Sequence, residues 1–132
     1  MPVEVELAGG ERLPDGPDVE TVERLCRLAF AAAGVEDGHA AVAIVGEDEI
    51  GRLNRDHRGK DSPTDVLSFP LDGAEPTAGP RELGDIVICP PLCESVTRAI
   101  VHGALHLVGM DHEVDGGEML AVEAEILRWE AN

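Results

Sequence analysis

The segment His102-Gly103-Ala104-Leu105-His106-Leu107-Val108-Gly109-Met110-Asp111-His112 decides how the rest of the chain is read. His102 and His106 are four residues apart on a predicted helix, so both rings project from one face. Gly109 stands where that helix must end and the chain turn. His112 follows three residues later and can fold back toward the pair. Three imidazoles then converge from a helix and the turn after it. Three His ligands with one coordination position left open describe a catalytic zinc site, not a closed structural one. A lone His is usually a packing or solvated residue, but here three of the chain's five His fall where the geometry requires them.

The spacing matches the metzincin pattern H-E-x-x-H-x-x-G-x-x-H at every His and at the Gly. The metzincin general-base Glu corresponds to Gly103, which cannot accept a proton from a metal-bound water. The site is therefore expected to bind metal as a metzincin does while lacking the peptidase base.

Upstream, Val3, Val5 and Leu7 alternate with Glu4 and Glu6, the pattern of a half-buried strand. Asp18 caps a helix running to about Ala33, with Val22, Leu25, Cys26 and Ala29 on one face and Gly34 ending it. Ala41 to Val45 is a short apolar run and reads as a buried strand. Asp48 is expected to cap a second helix through about Asp56. Val66 to Phe69 is a strand stopped by Pro70, and Leu71 to Arg81 is a loop punctuated by Gly73, Pro76 and Gly79-Pro80. Ile86 to Cys89 is the fourth strand. Pro91 suits the first turn of the helix that carries His102 and runs to about Val108. A last helix covers about Gly117 to Glu130. The expected fold is α+β: one mixed four-stranded sheet packed with about four helices, in a single domain spanning 1–132.

Composition narrows the function classes. Hydrophobic residues make up 43% of the 132, enough for a packed core. Aromatics are 2% (Phe30, Phe69 and Trp129), so broad platforms for stacking single-stranded bases are nearly absent. The formal charge of -17 argues against a general nucleic-acid-binding surface. Yet four of the ten basic residues, Arg52, Arg55, Arg58 and Lys60, fall in one short stretch, and the three Arg are spaced to share a helix face. Cys26, Cys89 and Cys93 are odd in number, and Met1-Pro2-Val3-Glu4 does not open a secretory leader. A reducing cytoplasm is expected, with no membrane span.

The remaining candidates rank lower. His39, in a loop, and His57, at the end of a basic helix, read as solvated residues. Cys89 and Cys93 read as buried or idle thiols before a zinc-thiolate pair, because no second Cys pair exists. Asp111 is either a carboxylate orienting a metal-bound His or an ordinary turn residue.

The segment from His102 to His112 resembles the signature of the YbeY family, H-G-x-L-H-L-x-G-[YF]-D-H, departing only at Met110, where the family usually has an aromatic. Leu53-Asn54 with Arg58-Gly59-Lys60-Asp61, then Pro63 to Pro70, is similar to a second family block. Leu83-Gly84-Asp85-Ile86-Val87-Ile88 is similar to a third. The resemblance implies a bacterial cytoplasmic metalloprotein, a single-strand-directed endoribonuclease active in ribosomal-RNA maturation and ribosome quality control. It implies one zinc ion on the three matched His, the family's functionally important Arg at Arg58, and ribosomal RNA and the small ribosomal subunit as partners, with neither DNA nor membrane. Family members usually carry a longer segment between the fourth strand and the His motif. Only Cys89 to Val101 intervenes here.

Two rivals follow from the same residues: a metzincin-like peptidase without its Glu base, and a noncatalytic ribosome-assembly factor that uses zinc for folding. For phosphodiester cleavage, zinc acidifies a bound water and polarises a phosphoryl oxygen, while Arg58 offers a planar fork of donors to phosphate. Asp111 and Asp85 are candidate general bases. Attack by the RNA's own 2′-hydroxyl is equally open.

Overall fold

Alternating Val and Glu residues build the first strand, β1 (Val3–Ala8), with Val3 and Val5 buried and Glu4 exposed. The structure is a computed structural model and describes residues 3–72, 81–111 and 115–131. Helix α1 (Val19–Ala32) starts as the sequence dictates: the Asp18 carboxylate accepts from the Thr21 amide at 2.9 Å, satisfying a first-turn N–H. The strand β2 (Gly38–Ile44) begins earlier than the apolar run suggested, so His39 lies in a strand and not in a loop. Its ring sits between Glu82 (2.9 Å) and Glu6 (3.2 Å).

Helix α2 (Glu47–Arg58) is capped by Gly46, which makes no side-chain cap bond. Asp48, the expected cap, lies instead in the first turn with Glu47 and Glu49. The last turn holds Arg55, His57 and Arg58. Acid at the N-terminus and base at the C-terminus both complement the helix dipole, so the basic cluster has a structural reason as well as a chemical one.

Strands β3 (Val66–Pro70) and β4 (Glu82–Ile88) complete a sheet of order β1-β2-β4-β3. β1 and β4 run parallel to β2, and β3 pairs antiparallel to β4. The sheet is mixed, as expected. Residues 73–80, most of the expected loop, lie outside the described residues. Pro90-Pro91 does not open the next helix: Pro90–Leu92 forms a separate turn of 3-10 helix. Helix α3 (Val96–Leu107) begins only after Ser95, whose hydroxyl accepts from the Arg98 amide at 3.2 Å. Helix α4 (Glu118–Ala131) closes the chain and is tied to α1 by a forked ion pair between Arg24 and Glu130.

One face of the sheet packs Ile86 and Ile88 against Leu25 and Phe30 of α1, Ile100 and Leu105 of α3, and Met119 of α4. The other face buries Leu67 and Val87 against Ile50 of α2. β3 is an edge strand, so it lies between the C-terminal end of α2 and the helix α3 that carries the His pair. That position creates the cleft described next.

Candidate metal centre and its cleft

Helix α3 buries Ile100, Val101, Ala104, Leu105 and Leu107. Burial of those residues fixes the helix's rotation and leaves His102 and His106 half-buried on one side. Their rings meet edge to face, with centroids 4.7 Å apart and planes at 77°. The two Nε2 atoms are 3.2 Å apart. Two nitrogens bound to one tetrahedral ion at about 2.0–2.1 Å would be separated by roughly 3.3 Å, so the pair fits a shared metal.

After His106 the helix ends in a Schellman turn. The Gly109 amide donates to the His106 carbonyl and the Met110 amide to the Leu105 carbonyl, both at 3.1 Å. Gly109 has φ +94°, which a side chain rarely tolerates. Met110 packs against the core beyond the turn, so the position asks for an apolar side chain and not specifically an aromatic one. The turn brings Asp111 to the cleft wall. His112, the third expected ligand, lies outside the described residues. Among those described, no three His, Cys, Asp or Glu side chains group as a metal set.

Gly103 faces the sheet. A Cβ there would meet Ile86 Cγ2 at 2.7 Å and Val66 Cγ2 at 3.2 Å. The Gly103 carbonyl accepts from the Ser68 hydroxyl at 2.9 Å. A Glu at this position has no room, and the peptidase reading is disfavoured on packing as well as on chemistry.

The cleft beside the His pair has a volume of about 450 Å³, and Arg58 lines it together with Asp65, Ser68 and Asp111. Arg58 is the last residue of α2. Gly59, at φ 70°, turns the chain away. Buried Asn54 donates to the Ser62 carbonyl at 2.8 Å, which ties the following loop back to the helix. Among the described residues Arg58 has no carboxylate within ion-pair distance. Arg52 and Arg55 do: Arg52 pairs with Glu49, and Arg55 with Asp56 and Asp61. They line a different hollow, with Glu47 and Asp48, so the three Arg do not form one basic face toward the His pair. Successive steps of three residues rotate each side chain around the helix, and over six residues the drift separates Arg52 from Arg58.

Asp85 does not line the cleft. It neighbours Ile86 on β4, and strand alternation puts it on the sheet face opposite α3. Cys89 is buried. Cys93 points its sulfur at the Cys89 carbonyl, 3.3 Å away, and burial raises both thiols, Cys93 to about 11. These are packed thiols, as expected.

Glu123 escaped the sequence reading. It is 4% exposed on α4, with Oε1 2.8 Å from His102 Nδ1 and Oε2 accepting from Arg98 Nε at 3.1 Å. A signal was present: Met119, Val122, Glu123 and Ile126 recur at helical spacing, and Glu123 is the one charge on that stripe.

The architecture is a mixed α+β sheet whose edge strand borders a polar cleft shared by two imidazoles and a guanidinium. Comparison with known proteins gives this arrangement a family. The family model described as Endoribonuclease YbeY matches residues 18–129. The chain is 40% identical over 137 residues to the endoribonuclease YbeY of Rubrobacter xylanophilus, covering 96% of each. It is 41% identical over 123 residues to that of Halorhodospira halophila, covering 83% of this chain and 79% of the relative. The solution structure of TM1509 from Thermotoga maritima superposes with a TM-score of 0.57 at 29% identity, covering 97% of this chain and 93% of that one. This chain belongs to the YbeY family, a family of endoribonucleases.

Proposed function

We propose that this chain is a zinc-dependent endoribonuclease that cuts unpaired RNA during ribosomal-RNA maturation. His102, His106 and His112 would hold the ion, and Arg58 the scissile phosphate. One observation carries the reading: a pair of Nε2 atoms 3.2 Å apart shares a cleft with Arg58, which has no carboxylate partner among the described residues. The zinc ion, when bound, supplies Lewis acidity and an acidified water.

The chain's own groups do the rest. The Arg58 guanidinium is always charged and forked, so it orients the phosphate and offsets the charge that grows on its nonbridging oxygens. Asp65 and Asp111 in the same cleft repel a second phosphate, so binding is confined to a short piece of strand. With a net charge of -17 on the whole chain, the working substrate is presented by a partner, the small ribosomal subunit. The compartment proposed is the cytoplasm. Among the described residues, no helix is long and apolar enough to cross a membrane.

The test is cleavage of single-stranded RNA, duplex RNA and casein side by side, with and without zinc. Zinc-dependent cutting of the unpaired RNA alone is expected. Casein cleavage would revive the peptidase reading. Zinc uptake without any cleavage would make the chain a noncatalytic assembly factor.

A further inference from the structure

We infer that Glu123 is a positioning residue of the metal centre: it holds His102 in the tautomer whose Nε2 lone pair faces the cleft. The inference rests on the proposed role of His102 as a ligand and extends it to α4, which carries none of the expected ligands.

A carboxylate can only accept hydrogen bonds. At 2.8 Å from Glu123 Oε1, His102 Nδ1 must therefore carry the ring proton. The neutral ring's lone pair then sits on Nε2, the atom that faces His106 Nε2. Free imidazole divides between its two tautomers. The carboxylate selects one and sets the plane of the ring, as partners of metal-bound His generally do.

Glu123 is itself held. Burying a carboxylate is costly unless its oxygens are bonded. Here one oxygen takes the imidazole and the other takes Arg98 Nε at 3.1 Å. Arg98 stands one helical turn before His102 on α3, so both partners come from one helix while the carboxylate comes from another. Met119 and Ile126, buried on either side of Glu123 along α4, fix its reach. The ring of His102 is thus set by helix-to-helix packing as well as by its own rotamer.

The test uses the whole chain. Nitrogen-15 NMR of the zinc-free wild type, with His102 assigned by comparison with His102→Gln, reads the tautomer directly. Zinc affinity is read by competition with a chromophoric chelator. The wild type should show His102 protonated on Nδ1. Glu123→Gln, whose amide leaves one acceptor oxygen to divide between His102 and Arg98, should weaken that bias and bind zinc about 10- to 100-fold more weakly. Glu125→Gln, on the exposed side of α4, should match the wild type in both readouts. A wild-type His102 protonated on Nε2 would overturn the inference, and this holds even where Glu123→Gln fails to fold. So would a folded Glu123→Gln chain binding zinc within twofold of wild type. A wild type that takes up no zinc overturns the metal reading and this inference with it. Zinc uptake with the wrong tautomer overturns this inference alone.

Discussion

A methyl group on Gly103 would stand 2.7 Å from Cγ2 of Ile86, closer than two carbons can sit. Helix α3 rests on β4 at this point, and the glycine sets how near the His pair lies to the sheet edge. Gly103→Ala should gain about 1 kcal/mol of helix propensity and lose about 1–3 kcal/mol to overpacking, a net destabilisation. Thermal melts should show a lower Tm for Ala and a much lower one for Gly103→Glu, with no peptidase activity in either. An Ala variant as stable as wild type would mean that the contact has slack.

His106→Ala removes one of the two nitrogens whose spacing fits a shared ion. The purified wild type should carry about one zinc per chain, and the variant should lose most of it. Metal analysis decides; full occupancy in the variant would release His106 from the ligand set.

Arg58→Lys keeps a positive charge at the end of α2 but gives up the planar fork. Zinc content and Tm should stay near wild type while turnover on single-stranded RNA falls by roughly tenfold or more, the loss expected where charge-assisted bidentate contacts are broken. Near-normal turnover would take Arg58 out of the mechanism. Loss of zinc would make its role structural.

RNA affinity should depend weakly on salt. Arg52 and Arg55 are paired with Glu49, Asp56 and Asp61 and line another hollow, which leaves Arg58 to meet phosphate at the His pair. Neutralising only one or two phosphates gives a slope of log affinity against log salt of about -0.7 to -1.4 for a single strand. A titration of labelled RNA at several salt concentrations measures it, and a slope several times steeper would reveal a basic surface elsewhere.

The three thiols should resist alkylation in the native chain. Burial pushes Cys26 up to about 12 and Cys93 up to about 11, and it raises Cys89 as well. A raised thiol pKa means less of the reactive thiolate at any pH below it. Iodoacetamide at pH 8 should label the folded protein slowly and all three Cys once it is denatured. Rapid native labelling of Cys26 would contradict its complete burial.

The secondary structure was legible wherever the signal was local. Alternation marked β1, the Asp18 cap marked α1, and helical spacing put His102 and His106 on one face. Signals that depend on neighbours misled. Asp48 has the chemistry of a cap, yet Gly46 begins α2. Pro91 suits a helix start, yet the chain makes a separate turn before Ser95. His39 stands at the polar edge of the apolar run Ala40 to Val45, and only pairing with β1 and β4 draws it into the strand.

By itself, the sequence determined the residue types and their spacing: two imidazoles one turn apart, a glycine after them, an Arg at the end of a basic helix. These are properties of a few consecutive residues obeying backbone geometry. Only the tertiary structure decided which distant groups share the cleft. It brought Arg58 to the His pair, sent Arg52, Arg55 and Asp85 elsewhere, and set Glu123 of α4 against His102 of α3. The reason is that a helix's rotation is fixed by what its apolar face buries, and that partner lies far along the chain.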